Sequence, residues 1–385
     1  MQAITRMPEG KLVTVATVDY KKRYSAAIGI NYTRVIEMSH QQSGNGALLA
    51  TFECVPADPA ERPGYPLYRS DDGGNSWRCI TIIREEWDET LRSVWNPFLF
   101  ELPVALGDMP EGTILCGACS LDQARTRSDL RLYKSCNGGY RWEQISSIAS
   151  GGGITTGVWE PFFLILPDGR LACYYSDSTD EPHYSQKMVM RISVDGVHWG
   201  EVKDVVALES QELRPGMGTV ALMNDGRYIM TYEICNANNP HCGNPVHYRY
   251  SRDGVDWGDP RDPGMKLIIC QGEENQAVAG SSPYLAYCPT YGEKGLLLCT
   301  VGFQTPGQER GNIVYVNDDL GNQHAWRPYF LPVEYKNPRG GYSRAVFVTA
   351  DGENVYFAND IPDENSEMGY HKMVLLRMQA KHISY

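Results

Sequence analysis

Two glutamates of this sequence stand at the ends of hydrophobic runs, where a solvated carboxylate is not expected. Glu160 lies between Trp159 and Pro161 at the start of the segment VWEPFFLI, and Glu233 ends the segment YIMTYE. A carboxylate in apolar surroundings loses hydration, which is unfavourable unless it is hydrogen-bonded, paired with a cation or used in chemistry. Both glutamates are therefore candidate catalytic residues.

A pair of carboxyl groups on either side of one bond can hydrolyse a glycosidic linkage. One carboxylic acid, with a raised pKa, protonates the leaving oxygen, while the other carboxylate attacks the sugar or activates a water molecule. The alternative is that the glutamates only form ion pairs with arginines at a solvated surface. The chemical interpretation requires elements that bring Glu160 and Glu233 to the same place.

A repeated turn motif indicates what these elements are. Copies begin 58 to 66 residues apart, and each has an Asp or Asn, a Gly and a closing Trp. The copies are SDDGGNSW (70–77), SCNGGYRW (135–142), SVDGVHW (193–199), SRDGVDW (251–257) and the degenerate NDDLGNQHAW (317–326). The Asp or Asn side chain caps nearby backbone amides and Gly permits a tight hairpin. Six units of this size fill the 385 residues.

Each unit reads as four short strands. In the third unit these are EPFFLIL, RLACYYS, KMVMRIS and a strand after Trp199. We predict that residues 1–385 form one all-β domain, a six-bladed β-propeller with four-stranded antiparallel blades. The early segment KLVTVATVD is expected to supply the outer strand of the last blade and so close the ring.

Propeller geometry predicts which residues share one mouth of the central channel. The first strand of each blade lines the axis and begins at this mouth, and the second strand ends there, whereas the Asp-Gly-Trp turns lie on the opposite face and are structural. The predicted catalytic residues are Glu160, Glu233 and Tyr342, and the predicted substrate-binding residues are Arg34, Glu53, Trp95, Asn96, Trp159, Asp177, Arg214, Ser282, Tyr284 and Arg344.

Composition excludes several other functions. The net charge of −12 argues against nucleic acid or an anionic membrane as partner. Cys116 and Cys119 form a lone CxxC without a second pair, so no metal site is expected, and no cofactor is expected either. The eleven cysteines are an odd number, and many lie in apolar runs, where buried free thiols are expected. The sequence leaves undecided whether Cys235 and Cys242 form a disulfide bond.

The motifs resemble those of known carbohydrate-active families. The repeated Ser-x-Asp-x-Gly-x-x-Trp turn is similar to the Asp-box of the sialidase superfamily. A narrower resemblance, to glycoside hydrolase family 93, rests on motifs spread in order along the chain. These are VWEPF, LPDGRLACYYSD, RPGM (214–217), YE (232–233), SSPY (281–284) and GYSRA (341–345). That family contains exo-acting α-1,5-L-arabinanases that release arabinobiose.

The resemblance implies a sialidase-like six-bladed propeller that hydrolyses linear arabinan with retention of configuration. The catalytic pair would be Glu160 and Glu233, with the nucleophile and the acid/base not distinguished, and Tyr342 would touch the pair. Retention implies carboxyl groups about 5–5.5 Å apart. The expected partner is the polysaccharide alone and the expected state is a monomer. The loop ICNANNPHCGNP after Glu233 departs from the pattern, which leaves the product length open.

Two alternatives remain at this point. In an exo-α-sialidase, Arg34, Arg214 and Arg344 would clamp a sialic-acid carboxylate, and Tyr342 beside Glu233 would be the nucleophile. A propeller can also be a non-catalytic carbohydrate-binding module. For the location, a polymer substrate favours secretion with the signal removed, whereas the absence of a signal segment and the odd cysteine favour the cytoplasm.

Overall fold

Six antiparallel sheets form the blades of a β-propeller. The computed structural model describes residues 5–7, 9–18, 30–53, 62–236, 244–270, 276–302, 312–333, 342–362 and 371–383. These residues contain no α-helix. The predicted fold is confirmed.

The strands follow one another in chain order through the blades. Two strands precede the first blade: β1 (Thr5–Arg6) and β2 (Lys11–Val18). Blade 1 consists of β3 (Asn31–Glu37), β4 (Leu48–Glu53), β5 (Tyr65–Ser70) and β6 (Arg78–Ile83). Blade 2 consists of β7 (Leu91–Glu101), β8 (Ile114–Asp122), β9 (Ser128–Ser135) and β10 (Glu143–Gly151). Blade 3 consists of β11 (Val158–Ile165), β12 (Leu171–Asp177), β13 (Lys187–Ser193) and β14 (Lys203–Val206).

The second half repeats this order. Blade 4 is followed by a small hairpin of β19 and β20, and two short 3₁₀ helices span Gln323–Ala325 and Ala380–His382. Blade 4 consists of β15 (Leu213–Leu222), β16 (Tyr228–Asn236), β17 (Val246–Ser251) and β18 (Met265–Lys266), and the hairpin consists of β19 (Ile268–Cys270) and β20 (Gln276–Val278). Blade 5 consists of β21 (Tyr284–Cys288), β22 (Leu296–Thr300), β23 (Ile313–Asn317) and β24 (Arg327–Phe330). Blade 6 contains β25 (Val346–Val348), β26 (Asn354–Pro362) and β27 (His371–Gln379).

The ring closes by strand exchange. β2 pairs antiparallel with β27 and becomes the fourth strand of blade 6, as predicted for KLVTVATVD. The first strands of neighbouring blades contact one another in sequence, and that of blade 6 contacts that of blade 1. β1 adds a parallel fifth strand to blade 5. Within the described ranges, no helix has the length and apolar character needed to cross a membrane.

The core lies between the faces of adjacent blades. Phe98 of blade 2 packs on Phe162 and Phe163 of blade 3, with ring centroids 4.7 and 5.9 Å apart. A Cβ atom on Gly117 would lie 2.5 Å from the Phe163 ring, so a glycine is required for this close approach. The second strand of blade 3, β12, is buried along its whole length and contacts β15 of blade 4.

The Asp-Gly-Trp turns connect the third and fourth strands of their blades. In the first copy, Ser70 Oγ accepts from the Gly74 N–H, and the Asp72 carboxylate accepts from the Asn75 and Ser76 N–H groups. The Trp77 indole N–H donates to the Gly74 carbonyl. These contacts are local, which explains why the motif can recur in blades whose other residues differ.

Candidate functional site

The same backbone feature, a residue with a positive φ, recurs in all six blades and directs side chains toward the axis. Each blade has a residue with a positive φ within its innermost strand or up to three residues before it, and in blade 5 Ser281 (66°) shares this feature with Ser282. These residues are Tyr32 (48°), Asn96 (52°), Glu160 (63°), Met217 (57°), Ser282 (43°) and Ser343 (57°). In blades 1 to 4 a register shift between the first two strands spans the position, as expected for a β-bulge. A bulge re-aims a side chain, which explains why Glu160 can interrupt a buried strand.

Five of these six residues, all except Ser282, line one cavity between the innermost strands. Its lining includes residues from blades 1 to 6, among them Tyr32, Arg34, Asn96, Glu160, Met217, Tyr284 and Ser343. Side chains from distant parts of the chain therefore meet at the axis, as the propeller geometry predicts.

Glu160 is held by three hydrogen-bond donors from three blades. Its Oε1 accepts from the Tyr32 hydroxyl at 2.9 Å, and its Oε2 accepts from the Ser176 hydroxyl at 2.7 Å and the Met217 N–H at 3.2 Å. Loss of hydration raises the pKa of Glu160, whereas these donors and the charge of Arg214 oppose the rise. The donor set is directed at the ionised carboxylate.

Glu233 lies in a different environment. Its Oε2 accepts from the Ser282 N–H at 2.6 Å, and its Oε1 lies 3.5 Å from the Tyr342 hydroxyl. Burial, opposed by the Ser282 N–H and reinforced by the charge of Glu160, raises the pKa of Glu233 to about 7. The Tyr342 hydroxyl is also 3.4 Å from the sulfur of Met217, whose N–H binds Glu160. Tyr342 and Met217 thus link the two glutamates.

Glu53 brings a third carboxylate to the same mouth. Its Oε2 accepts from the Asn96 N–H at 3.3 Å. Burial raises the pKa of Glu53 to about 7, opposed by the Asn96 N–H and the charge of Arg34 and reinforced by the charge of Glu160. The guanidinium of Arg34 lies 4.7 Å from the centroid of the Tyr284 ring. Glu160 therefore interacts electrostatically with a carboxylate on each side.

Aromatic rings form two walls of the mouth. Trp95 and Trp159 have ring centroids 5.8 Å apart, and the Tyr32 and Tyr342 rings meet edge to face at 5.7 Å. Apolar ring faces beside carboxylates suit the alternating apolar and hydroxyl-bearing surfaces of a sugar.

The three predicted clamp arginines have separate partners. Arg34 donates to Ser343, Arg214 to Gln186 at 2.7 Å, and Arg344 to Asn359 at 2.9 Å. The charge of Arg34 opposes the rise in the pKa of Glu53, and that of Arg214 opposes the rise in the pKa of Glu160. The charge of Arg344 instead opposes the rise in the pKa of Asp360. The described contacts therefore do not favour a three-arginine clamp on one carboxylate.

The register places Asp177 differently from Glu53 and Glu233. In blade 4 Glu233 pairs with Gly216 directly before the bulge, and in blade 3 Ser176 pairs with Trp159 directly before the bulge. Ser176, and not Asp177, therefore occupies the position in blade 3 that corresponds to Glu233. Side chains alternate along a strand, and Asp177 instead accepts from the N–H and hydroxyl of Thr179 at 2.8 and 2.6 Å. A substrate contact by Asp177 remains a prediction.

Sequence reasoning missed Tyr32, Ser176 and Met217 as site residues. The sequence offered Arg214, which precedes a proline as Glu160 does, as the blade 4 residue of the site, but the bulge places Met217, three residues later, at the position that corresponds to Glu160. The only available signal was the segment RPGM itself, which does not reveal where a bulge falls.

The described residues offer no metal centre. Within them, no group of three or more His, Cys, Asp or Glu side chains is arranged to hold a metal ion. The predicted alternative of a Cys235–Cys242 bridge concerns Cys242, which lies outside the described residues.

Comparison with known proteins identifies the type of molecule. No protein-family model matches the chain, and no curated protein sequence matches it significantly. Solved structures do: the family 93 α-L-arabinofuranosidase of Fusarium graminearum in complex with arabinobiose has 26% identity and a TM-score of 0.77, with 96% of this chain and 98% of that chain covered. The α-L-arabinanase of Penicillium chrysogenum with arabinobiose has 29% identity and a TM-score of 0.78, with 96% and 99% covered.

A sialidase shares only the fold. The NanB sialidase of Streptococcus pneumoniae has 10% identity and a TM-score of 0.61, with 98% of this chain and 71% of that chain covered. The fold and the carboxylate site thus define a sialidase-like propeller of the glycoside hydrolase class. Within that class, the comparisons confirm the predicted resemblance to family 93 over nearly the whole chain.

Proposed function

We propose that this protein is a retaining exo-hydrolase that cleaves linear α-1,5-L-arabinan and releases arabinobiose. The observation that carries the proposal is the pair of interacting carboxylates, Glu160 and Glu233, in contrasting environments. The arabinobiose bound in the structures of two similar proteins supports the substrate class.

The hydrogen bonds suggest how the roles divide. Glu160 has three donors on its two oxygens, which favour the ionised form that a nucleophile needs. Glu233 has a pKa of about 7, so it holds a proton in a large share of molecules near neutral pH, as a general acid requires. We therefore assign Glu160 as nucleophile and Glu233 as acid/base.

The reaction then has two steps. In the first, a Glu160 oxygen forms a bond to the anomeric carbon, the glycosidic C–O bond breaks, and Glu233 gives its proton to the leaving oxygen. In the second, Glu233 takes a proton from a water molecule, the water oxygen attacks the anomeric carbon, and the ester bond to Glu160 breaks. The charge of Glu160 raises the pKa of Glu233. Because the ester carries no charge, the pKa of Glu233 falls in the intermediate and Glu233 becomes able to act as a base.

Substitution of each glutamate tests this proposal on debranched arabinan. We expect Glu160→Gln and Glu233→Gln to lower kcat by at least about a thousandfold, because each removes a group required for bond cleavage. Glu143→Gln, an exposed carboxylate distant in the fold, is the matched control and should retain activity. Chromatography identifies the product, and NMR of the first-formed anomer identifies retention.

The possible results separate the parts of the proposal. Full activity in both variants would refute the catalytic assignment. Release of free sialic acid from a sialyl substrate, without arabinan cleavage, would refute the substrate class. A product other than arabinobiose would refute the exo-disaccharide mode while leaving the glutamate roles intact.

A further inference from the structure

An arginine in blade 2 covers the aromatic wall of the mouth. Arg125 lies in the turn between β8 and β9, which faces the same side of the propeller as the carboxylates. Its guanidinium carbon is 5.8 Å from the centroid of the Trp95 ring, and Trp95 in turn contacts Trp159. The aromatic wall therefore continues outward from the axis to a guanidinium that lies over the Trp95 ring.

The turn that presents Arg125 is firmly held despite its exposure. The Asp122 carboxylate accepts from the N–H groups of Thr126 and Arg127 at 2.6 and 3.0 Å, and the Arg125 N–H donates to the Asp122 carbonyl. The next connection packs tightly against the turn, because a Cβ atom on Gly153 would lie 2.1 Å from the Arg125 carbonyl oxygen. Arg125 itself has a φ of 56°, an unfavourable value for a side-chain-bearing residue.

The arginines that follow Arg125 in the chain have acidic partners. Arg127 is paired with Asp88 and Asp129, and Arg131 is paired with Glu85 and Asp129. By contrast, no carboxylate among the described residues lies within 4 Å of the Arg125 guanidinium, and the residue is exposed. A guanidinium held over an aromatic ring is partly preorganised, so its N–H donors can bind a ligand with less loss of side-chain entropy.

We propose that Arg125, which lies over the Trp95 ring, forms a subsite for the arabinose units of the polymer beyond the cleaved bond. This inference rests on the proposed function. The occupant follows from continuity with the catalytic mouth: the Asn96 N–H next to Trp95 binds Glu53, and Trp159 precedes Glu160. A chain held at the glutamates and leading outward over blade 2 would meet Trp95 first and Arg125 second. The hydroxyl groups of a neutral sugar accept hydrogen bonds from the guanidinium.

The dependence of kcat/KM on substrate length tests the subsite. Arabinotriose, arabinotetraose, arabinopentaose and arabinohexaose are compared for the wild type, Arg125→Gly and Arg125→Lys. Glycine tolerates the positive φ, so Arg125→Gly should fold without added strain. Arg78→Ala is the control, because Arg78 is also exposed and bonded to an aromatic side chain, the Tyr140 hydroxyl, but lies in blade 1 after an Asp-Gly-Trp turn of the opposite face.

We expect wild-type kcat/KM to rise with length, and Arg125→Gly to lose about five- to tenfold on the hexaose while arabinotriose changes less than about twofold. Arg125→Lys should lie between, and Arg78→Ala should match the wild type. Equal losses at all lengths, an unchanged length dependence in Arg125→Gly, or a wild-type kcat/KM that does not rise with length would overturn the subsite. If the wild type cleaves none of the oligosaccharides, the proposed function itself fails, and the subsite with it.

Discussion

The close packing around Gly216 provides a sharp test of how Glu160 is positioned. Gly216 lies in β15 next to the Ser176 hydroxyl, which donates to Glu160 and accepts from the Met217 N–H. A methyl group at Gly216 would lie 2.5 Å from Gln186 Nε2 and 2.7 Å from Ser176 Oγ, whereas ordinary contact begins at 3.4 Å. The Ser176 oxygen would have to move by 0.7 Å, the difference between 3.4 and 2.7 Å.

Such a displacement is large for a catalytic site. A misplacement of about 1 Å can lower a rate by about a hundredfold, so we expect Gly216→Ala to lower kcat by about 10- to 100-fold. Forced overpacking should also lower the free energy of unfolding by about 1–3 kcal/mol. Steady-state kinetics on arabinan and urea denaturation measure the two effects. The control is Gly200→Ala, where a methyl group would meet nothing closer than 3.3 Å.

A double-substitution cycle isolates the cause. In a Ser176→Ala background the clash with the Ser176 oxygen is gone and only that with Gln186 Nε2 remains, so Gly216→Ala should reduce kcat by a smaller factor than it does in the wild type. If Gly216→Ala keeps wild-type kcat, or loses the same factor in both backgrounds, then Ser176 does not position Glu160 in the way described.

Two further predictions concern the acid and the ring closure. Because Glu233 must be protonated and its pKa is about 7, kcat/KM on arabinan should fall as pH rises above about 7. The control is an aryl arabinoside whose leaving group needs no proton, for which kcat/KM should not fall in this way. The same fall of kcat/KM on both substrates would contradict the acid role of Glu233. Deletion of residues 1–18 removes β2 with the buried Val15 and Val18 from blade 6, and also β1 from blade 5. The free energy of unfolding in denaturant titration should therefore fall by at least about 3 kcal/mol, and an unchanged midpoint would show that β2 does not close the ring.

Much of the fold was predictable because its signals are local. The Asp-Gly-Trp turns recur because a carboxylate or amide side chain caps amides two to four residues away, as Asp72 does. Alternating apolar segments and short turns give the four strands between copies. Even the closing strand was predictable, since blade 6 lacks one strand and the segment 11–18 has the right pattern.

The candidate site was predictable in its main carboxylates. Glu160 and Glu233 stand out because a charged residue interrupts an apolar run, which is visible in the chain itself. Tyr342 was predicted from its place near the innermost strand of blade 6, which the structure begins four residues later, at Val346. The roles of the two glutamates were not predictable, because they depend on donors contributed by residues more than a hundred positions away, such as Tyr32 to Glu160.

The amino-acid sequence by itself determined the number of blades, the strand order and which acidic side chains enter apolar surroundings, because turn capping and hydrophobic alternation act over a few residues. Only the tertiary structure decided that Met217 rather than Arg214 corresponds to Glu160, and Ser176 rather than Asp177 corresponds to Glu233. The physical reason is that a bulge and a strand register depend on pairing with another strand, and a shift of one residue turns a side chain to the opposite face of the sheet.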